Sequence, residues 1–214
     1  MIPKSLAIEV YSKYHEEINS PGFFDNSLLL SCKKRHYHKP EIIFLYFPFL
    51  EESYTSELIN IYNKYILSIY KIKAWEKIIS EYPEDKDLYI RDEFLYDILE
   101  NILATPYRYK ENLIFCTTKI CYYWKLLNGS ITSNNINNDR NIKLASFKKI
   151  ANDFKHGKKF LSAIKKINNK DYIKKTSNYR NRWQHQHAPK INSGEIFNIN
   201  ICNEHIDFLI LNLI

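Results

Sequence analysis

Apolar residues recur every three or four positions over two long stretches, and this period restricts the fold more than any other feature of the chain. In "SELINIYNKYILSIYKIKAWEKIISEY", Leu58, Ile61, Tyr62, Tyr65, Ile69, Ile72 and Ile79 share one side of a helix. Thr55 or Ser56 is placed to cap its start, and Pro83 follows its end. The run from Tyr107 to Leu127 is more apolar still, with Leu113, Ile114, Phe115, Ile120, Tyr123, Trp124 and Leu127, and it predicts the central helix of a bundle. Asn128-Gly129 closes that run as a helix cap does. Only four glycines occur in 214 residues. Such scarcity disfavours β architectures built on tight turns, and glycine-rich phosphate loops with them. With 45% hydrophobic and 15% aromatic residues, the chain can bury a core. The expected class is all-α.

Shorter periodic segments fill in the bundle. "SLAIEVYSKYHEEI" places Leu6, Val10, Tyr11 and Tyr14 near one face. Lys86 to Leu103 reads as a helix using Tyr89, Phe94, Ile98 and Ile102, and it is expected to stop before Pro106. Ile142 to Phe154 reads as a helix closed by "HG", which sets His156 near a C-terminus where the dipole favours it. "KKFLSAIKKI" follows as another helix. One more begins near Asn169 and runs on to Pro189, and "NEHIDFLILNLI" reads as the last. Two segments break the pattern: "NGSITSNNINNDR" is a polar, turn-prone loop, and "PEIIFLYFPFLEES", with its two prolines, is expected to be extended.

Several classes are disfavoured. No segment reaches the roughly 18 consecutive apolar residues of a membrane span, and the first residues become charged too soon for a signal-peptide core, so a cytoplasmic protein is expected. Cys32, Cys116, Cys121 and Cys202 are too scattered for a zinc knuckle or a disulfide framework and read as reduced, mostly buried thiols. No cofactor motif is present. The pairs His36/His38 and His185/His187 would need to converge to hold a metal, and nothing in their spacing requires it. "KKRHYH", Lys33 to His38, reads as a basic surface segment.

Charge is unevenly distributed. Residues Arg140 to Lys190 hold 15 basic and 2 acidic residues, a net of +13, which leaves 16 basic and 22 acidic residues, a net of −6, for the rest. A bias toward Lys and Asn codons accounts for lysines anywhere, but not for the scarcity of acidic residues in one stretch. A polyanion-binding face accounts for both. Three of the chain's six arginines fall within this stretch, and two of them, Arg180 and Arg182, stand close together in "NYRNRWQHQH".

On a helix advancing about 100° per residue, Tyr172, Thr176, Tyr179 and Trp183 form a core stripe, and Asn178, Asn181 and His185 lie opposite. Arg180 and Arg182 flank that polar ridge, and His187 borders the core. Paired across a twofold axis, two such ridges would make a cleft of guanidinium and imidazole groups suited to phosphate. A solvated helix face with ordinary charges fits the same residues. Glu111, on the central helix, is placed either to tune His185 or to pair with a lysine.

"RNRWQH", Arg180 to His185, resembles the R-N-x-x-x-H signature of the HEPN superfamily (higher eukaryotes and prokaryotes nucleotide-binding), and its setting on a late helix of a bundle is similar too. The likeness covers residues 56–214, leaving 1–55 as an N-terminal extension with extended or irregular structure. It implies an HEPN-like helical bundle and a metal-independent endoribonuclease that cleaves RNA as a homodimer, often a toxin or antiviral-defence effector with an antitoxin or defence-system partner. On this resemblance Arg180 binds the scissile phosphate, His185 is the acid/base, and Asn181 orients one or the other. Arg182, Lys174 and Lys175 are auxiliary RNA or phosphate contacts. A shifted register, Arg182 with His187, has the same spacing. Where some HEPN toxins carry a regulatory tyrosine two residues after the histidine, this chain has His187. The same family includes non-catalytic nucleotide- or RNA-binding modules that partner a nucleotidyltransferase, and these are the alternative.

Overall fold

A computed structural model describes residues 2–32, 42–132, 142–176, 178, 179 and 181. Among these, every regular element is helical. In chain order they are α1 (Lys4–Ile18), α2 (Ile42–Ile79), α3 (Glu84–Ile90), a π-helical turn (Arg91–Leu95), α4 (Tyr96–Leu127), α5 (Leu144–Ala151), α6 (Gly157–Lys166) and α7 (Lys170–Lys175), with a short 3₁₀ turn at Asn26–Leu28. The segment "NEHIDFLILNLI" and most of "NGSITSNNINNDR" lie outside the described residues. The all-α expectation is met. No described helix is long and apolar enough to cross a membrane.

The chain divides into two compact units, one formed by residues 1–29, 63–106 and 169–214, the other by 30–62 and 107–168. The boundary drawn from the sequence at residue 55 falls inside α2, and residues before it enter both units. In the first unit, α1 buries Leu6, Val10 and Tyr14. Tyr14 stacks on Trp75 of α2 at 4.4 Å and 7°, and Trp75 stacks on Phe94 at 4.7 Å and 11°. Three elements are thus joined by one aromatic column, the kind of contact that adds about 0.5–1.5 kcal/mol per pair beyond area burial. Around its rim Lys13 pairs with Glu81 at 2.8 Å, and the Tyr82 hydroxyl donates to Glu9 at 2.8 Å. These rim contacts are exposed, and such pairs add little.

Two prolines expected to end structure do not. "PEIIFLYFPFLEES" is helical from Ile42, with Pro48 inside α2, and Thr55 and Ser56 lie within that helix rather than capping it. Pro48 removes one ladder bond. Phe47, which lies against Trp124, and Tyr54, edge-on to Phe115, fix this part of the helix by packing, which outweighs local propensity. Pro106 is likewise inside α4, so the helices expected on either side of it are one. The Tyr172 hydroxyl donates to the Leu103 carbonyl at 3.0 Å, one residue beyond the carbonyl that Pro106 deprives of its donor.

The residues that face the core are offset by one position from the expected Tyr89, Phe94 and Ile98. Tyr89 is 49% exposed, and the buried set is Ile90, Leu95, Leu99, Ile102 and Leu103. Ile90 and Leu95 are five positions apart, which is the span of a π-type hydrogen bond.

In the second unit, the C-terminal part of α4 packs on α5 and α6. Ile114, Cys121 and Tyr122 meet Phe147, Ile150, Ala151 and Ile164, with Phe154, Phe160 and Leu161 half-buried around them. Burial pushes the Cys116 thiol up to about 12, with Glu57 adding to the shift, and the Cys121 thiol up to about 11, so both stay protonated at neutral pH. Cys32 is exposed, unlike the buried thiols expected. Trp124, expected in the core, is 40% exposed, whereas Thr118 and Lys119 are buried. Lys119 sits over the Phe115 and Tyr123 rings at 6.0 and 5.8 Å, one turn to either side.

Helix ends follow local chemistry. Gly129 takes φ +67°, its N–H bonds Leu126 and the Ser130 N–H bonds Lys125, a Schellman closure of α4 at the expected place. At the start of α5 the Ser146 hydroxyl accepts the Lys143 N–H. The helix expected to run to Phe154 stops at Ala151, and His156 becomes the N-cap residue of α6 rather than a C-terminal residue. Gly157 opens α6 against α5: a Cβ built there would lie 1.8 Å from the Ala151 carbonyl oxygen.

Replacing Gly157 with alanine is therefore expected to force α5 and α6 apart and destabilise the protein by about 3 kcal/mol. Gly129→Ala, where nothing lies within 4 Å and only the positive φ is penalised, is expected to cost about 1 kcal/mol. Urea unfolding of the two variants checks the ranking.

Candidate functional site

The stretch Arg140–Lys190 is described for α5, α6, α7 and the turn after it. Its lysines from Lys143 to Lys175 are exposed in every case, at positions 143, 148, 149, 155, 158, 159, 165, 166, 170, 174 and 175. The arrangement follows from amphipathic patterning. α5 and α6 each bury one apolar side on α4, so the remaining positions, mostly lysine, face solvent. Of the two carboxylates in the stretch, Asp153 is ion-paired with Lys125 of α4, and Asp171 lies in the first turn of α7, where a helix favours negative charge.

α6 and α7 are joined by Ile167, Asn168 and Asn169. Lys110 of α4 donates to the Ile167 carbonyl at 2.8 Å, and burial lowers the pKa of this lysine, partly opposed by Glu111. Glu111 itself is exposed on α4, beside Lys110. Asn169 caps α7, its side chain accepting the Tyr172 N–H at 2.9 Å. The sequence placed this start correctly.

The continuation differs from the expectation. α7 ends at Lys175. The Asn178 N–H closes back on the Ile173 carbonyl at 2.7 Å, and Asn178 takes the left-handed conformation with φ +54°. Asparagine is among the few side chains that accept this conformation. The single helical ridge drawn from Asn169 to Pro189 is thus interrupted before Arg180, and angles projected across the break do not hold. The burial part of the projection does hold: Tyr172, Thr176 and Tyr179 are buried, and Asn178 and Asn181 are exposed.

Beyond the break, the Tyr179 hydroxyl donates to Glu100 of α4 at 2.8 Å, with Tyr96 beside the same carboxylate. Burial, then the bond to Glu100, raises the pKa of Tyr179 far above its ordinary value, so it remains a donor through the physiological range. The residue before Arg180 is thereby tied to α4. Sequence reading assigned Tyr179 to the core but did not identify Glu100 as its partner. A glutamate at an amphipathic boundary carries no mark of a partner 79 positions away.

Of the residues proposed for chemistry, Asn181 is exposed one turn after Asn178, and Lys174 and Lys175 are exposed at the end of α7. Arg180, Arg182, His185 and His187 lie outside the described residues, as do Trp183, His36, His38 and "KKRHYH". Comparison with known proteins finds no family model, no curated protein and no solved structure that matches the chain.

Tyr179→Phe removes a hydrogen bond to a carboxylate and is expected to destabilise the protein by about 1–2 kcal/mol. In a cycle with Glu100→Gln the two changes are expected to be non-additive, as determined from urea unfolding. Additive effects would show that the pair does not hold this segment.

Proposed function

We propose that the protein is a metal-independent endoribonuclease of HEPN type, in which two copies of the chain pair their Arg180–His185 motifs around one RNA phosphodiester. The observation that carries this reading is the coincidence of R-N-x-x-x-H with the one stretch that acidic residues have deserted. The exposed lysines of α5, α6 and α7 support it, as does the tether of Tyr179 to Glu100 immediately before Arg180. RNA provides the polyanion, and the motif provides the side chains that transesterification requires.

In the proposed reaction the RNA 2′-oxygen attacks the adjacent phosphorus as its proton passes to a base. The bond from phosphorus to the 5′-oxygen breaks, and that oxygen takes up a proton. His185 supplies the acid/base function, the role for which imidazole is the commonest side chain. Arg180 neutralises the charge that builds on the phosphoryl oxygens in the transition state. Asn181 orients His185, four residues further on. Arg182, Lys174 and Lys175 hold flanking phosphates. The products are a 2′,3′-cyclic phosphate and a 5′-hydroxyl. A toxin or defence role, held in check by a partner protein, fits such an activity.

Purified protein incubated with total RNA and a strong chelator is expected to yield fragments with these ends, and Arg180→Ala or His185→Ala to lower the rate by about 10²-fold or more while RNA binding persists. Wild-type protein that binds RNA without cleaving it would instead be a non-catalytic nucleotide- or RNA-binding module.

A further inference from the structure

Four lysines of α6 occur as two pairs, Lys158 with Lys165 and Lys159 with Lys166, each seven residues apart. Seven residues are two helical turns, so each pair lies on one line along the helix, with ammonium groups about 10 Å apart at their roots. The core side of α6 carries Phe160, Leu161 and Ile164, and the small residues Ser162 and Ala163 are exposed with the lysines. Neither line of charge has a carboxylate partner among the described residues. α5, packed against α6, adds Lys148 and Lys149 on its own solvent side.

Helix stability does not account for this pattern. Lys165 and Lys166 stand in the last turn, where cations complement the helix dipole, but Lys158 and Lys159 stand in the first turn, where they oppose it and no acidic residue offsets them. Cations placed against the dipole, on a surface with no acid to meet them, serve something that the protein alone does not contain.

The chemistry of the surface selects its ligand. Lysine ammonium groups are compact point charges without arginine's planar fork, and the deep, narrow major groove of an RNA helix keeps them from base edges. None of the large hydrophobic side chains exposed elsewhere in the described residues belongs to α5 or α6, whose phenylalanines turn into the core. Single-strand binding surfaces stack bases on exposed aromatics, and this one has none. What remains is attraction to phosphate, which is densest along a double helix.

We infer that the outer side of the α5–α6 hairpin is a docking surface for double-helical RNA, read through its phosphates and independently of sequence. From the proposed function this takes only that the ligand is RNA; it does not depend on chemistry at His185.

The test uses full-length protein and fluorescent 2′-O-methyl RNA, which cannot undergo 2′-oxygen attack, as a duplex and as a single strand of equal length. Wild-type protein is expected to bind the duplex more tightly. In Lys158→Gln/Lys159→Gln/Lys165→Gln/Lys166→Gln, duplex affinity is expected to fall roughly tenfold or more at 0.1 M salt, and the slope of log affinity against log salt to shrink by up to about four. Lys158→Glu/Lys159→Glu is expected to weaken binding at least as much while leaving Tm unchanged or about 1–4 °C higher, because carboxylates suit a first turn. Unchanged duplex binding, a preference for the single strand, binding to anionic lipid vesicles in place of RNA, or a Tm lowered by the glutamates would overturn the inference. Loss of duplex binding in a wild-type background that never cleaves RNA would uphold it while refuting the nuclease reading. Cleavage abolished by His185→Ala, with duplex binding untouched by the lysine changes, would do the reverse.

Discussion

The apolar side of α4 is the constraint on which both units depend. Toward its N-terminal end Leu99, Ile102 and Leu103 enter the core of one unit, and the Leu103 carbonyl receives the Tyr172 hydroxyl. Toward its C-terminal end Ile114, Cys121 and Tyr122 form the floor on which α5 and α6 rest. Burying those two short helices on one side leaves their lysines no position except the other. The positive surface therefore follows from core packing, given a sequence that fills the remaining positions with lysine and almost no acid. Gly157 is a tight point of that arrangement, since α6 can begin so close to α5 only without a side chain there.

The segment that carries the proposed chemistry is held at its near end by two tyrosines. Tyr172 and Tyr179 are both buried, and each spends its hydroxyl on α4, one on a backbone carbonyl and the other on Glu100. Between them the chain makes a left-handed turn at Asn178. The three features fix the chain as far as Tyr179. On the proposed reading a fixed origin benefits the motif, because catalytic side chains act only within a narrow range of positions.

Much of this was legible in the sequence, and the misses have physical causes. The buried stripe of α2 (Tyr62, Tyr65, Ile69 and Ile72), the start of α7 at Asn169 and the closure of α4 at Gly129 all followed from periodicity and capping chemistry. Pro48 and Pro106 misled because a proline inside a helix is a local penalty, whereas the packing that retains it comes from distant residues such as Trp124 and Tyr172. Around the π turn at Arg91–Leu95 the core set is Ile90, Leu95 and Leu99, one position beyond Tyr89, Phe94 and Ile98, because apolar residues stand side by side there and the pattern alone does not choose between them. At the candidate site, the burial of Tyr172, Thr176 and Tyr179 was readable. The break after Lys175 was not, because the helical spacing of Tyr172, Thr176 and Tyr179 runs through it and outweighed the turn preference of serine and asparagine.

On the proposed reading, RNA meets this protein along its acid-poor stretch. Amide hydrogen exchange with and without saturating 2′-O-methyl RNA duplex tests that most directly. Added protection is expected in peptides covering α6 and residues 174–185, with α1 and the aromatic column around Trp75 unchanged. Protection that appears on α1 or α3 instead, or on no peptide at all, would contradict the account.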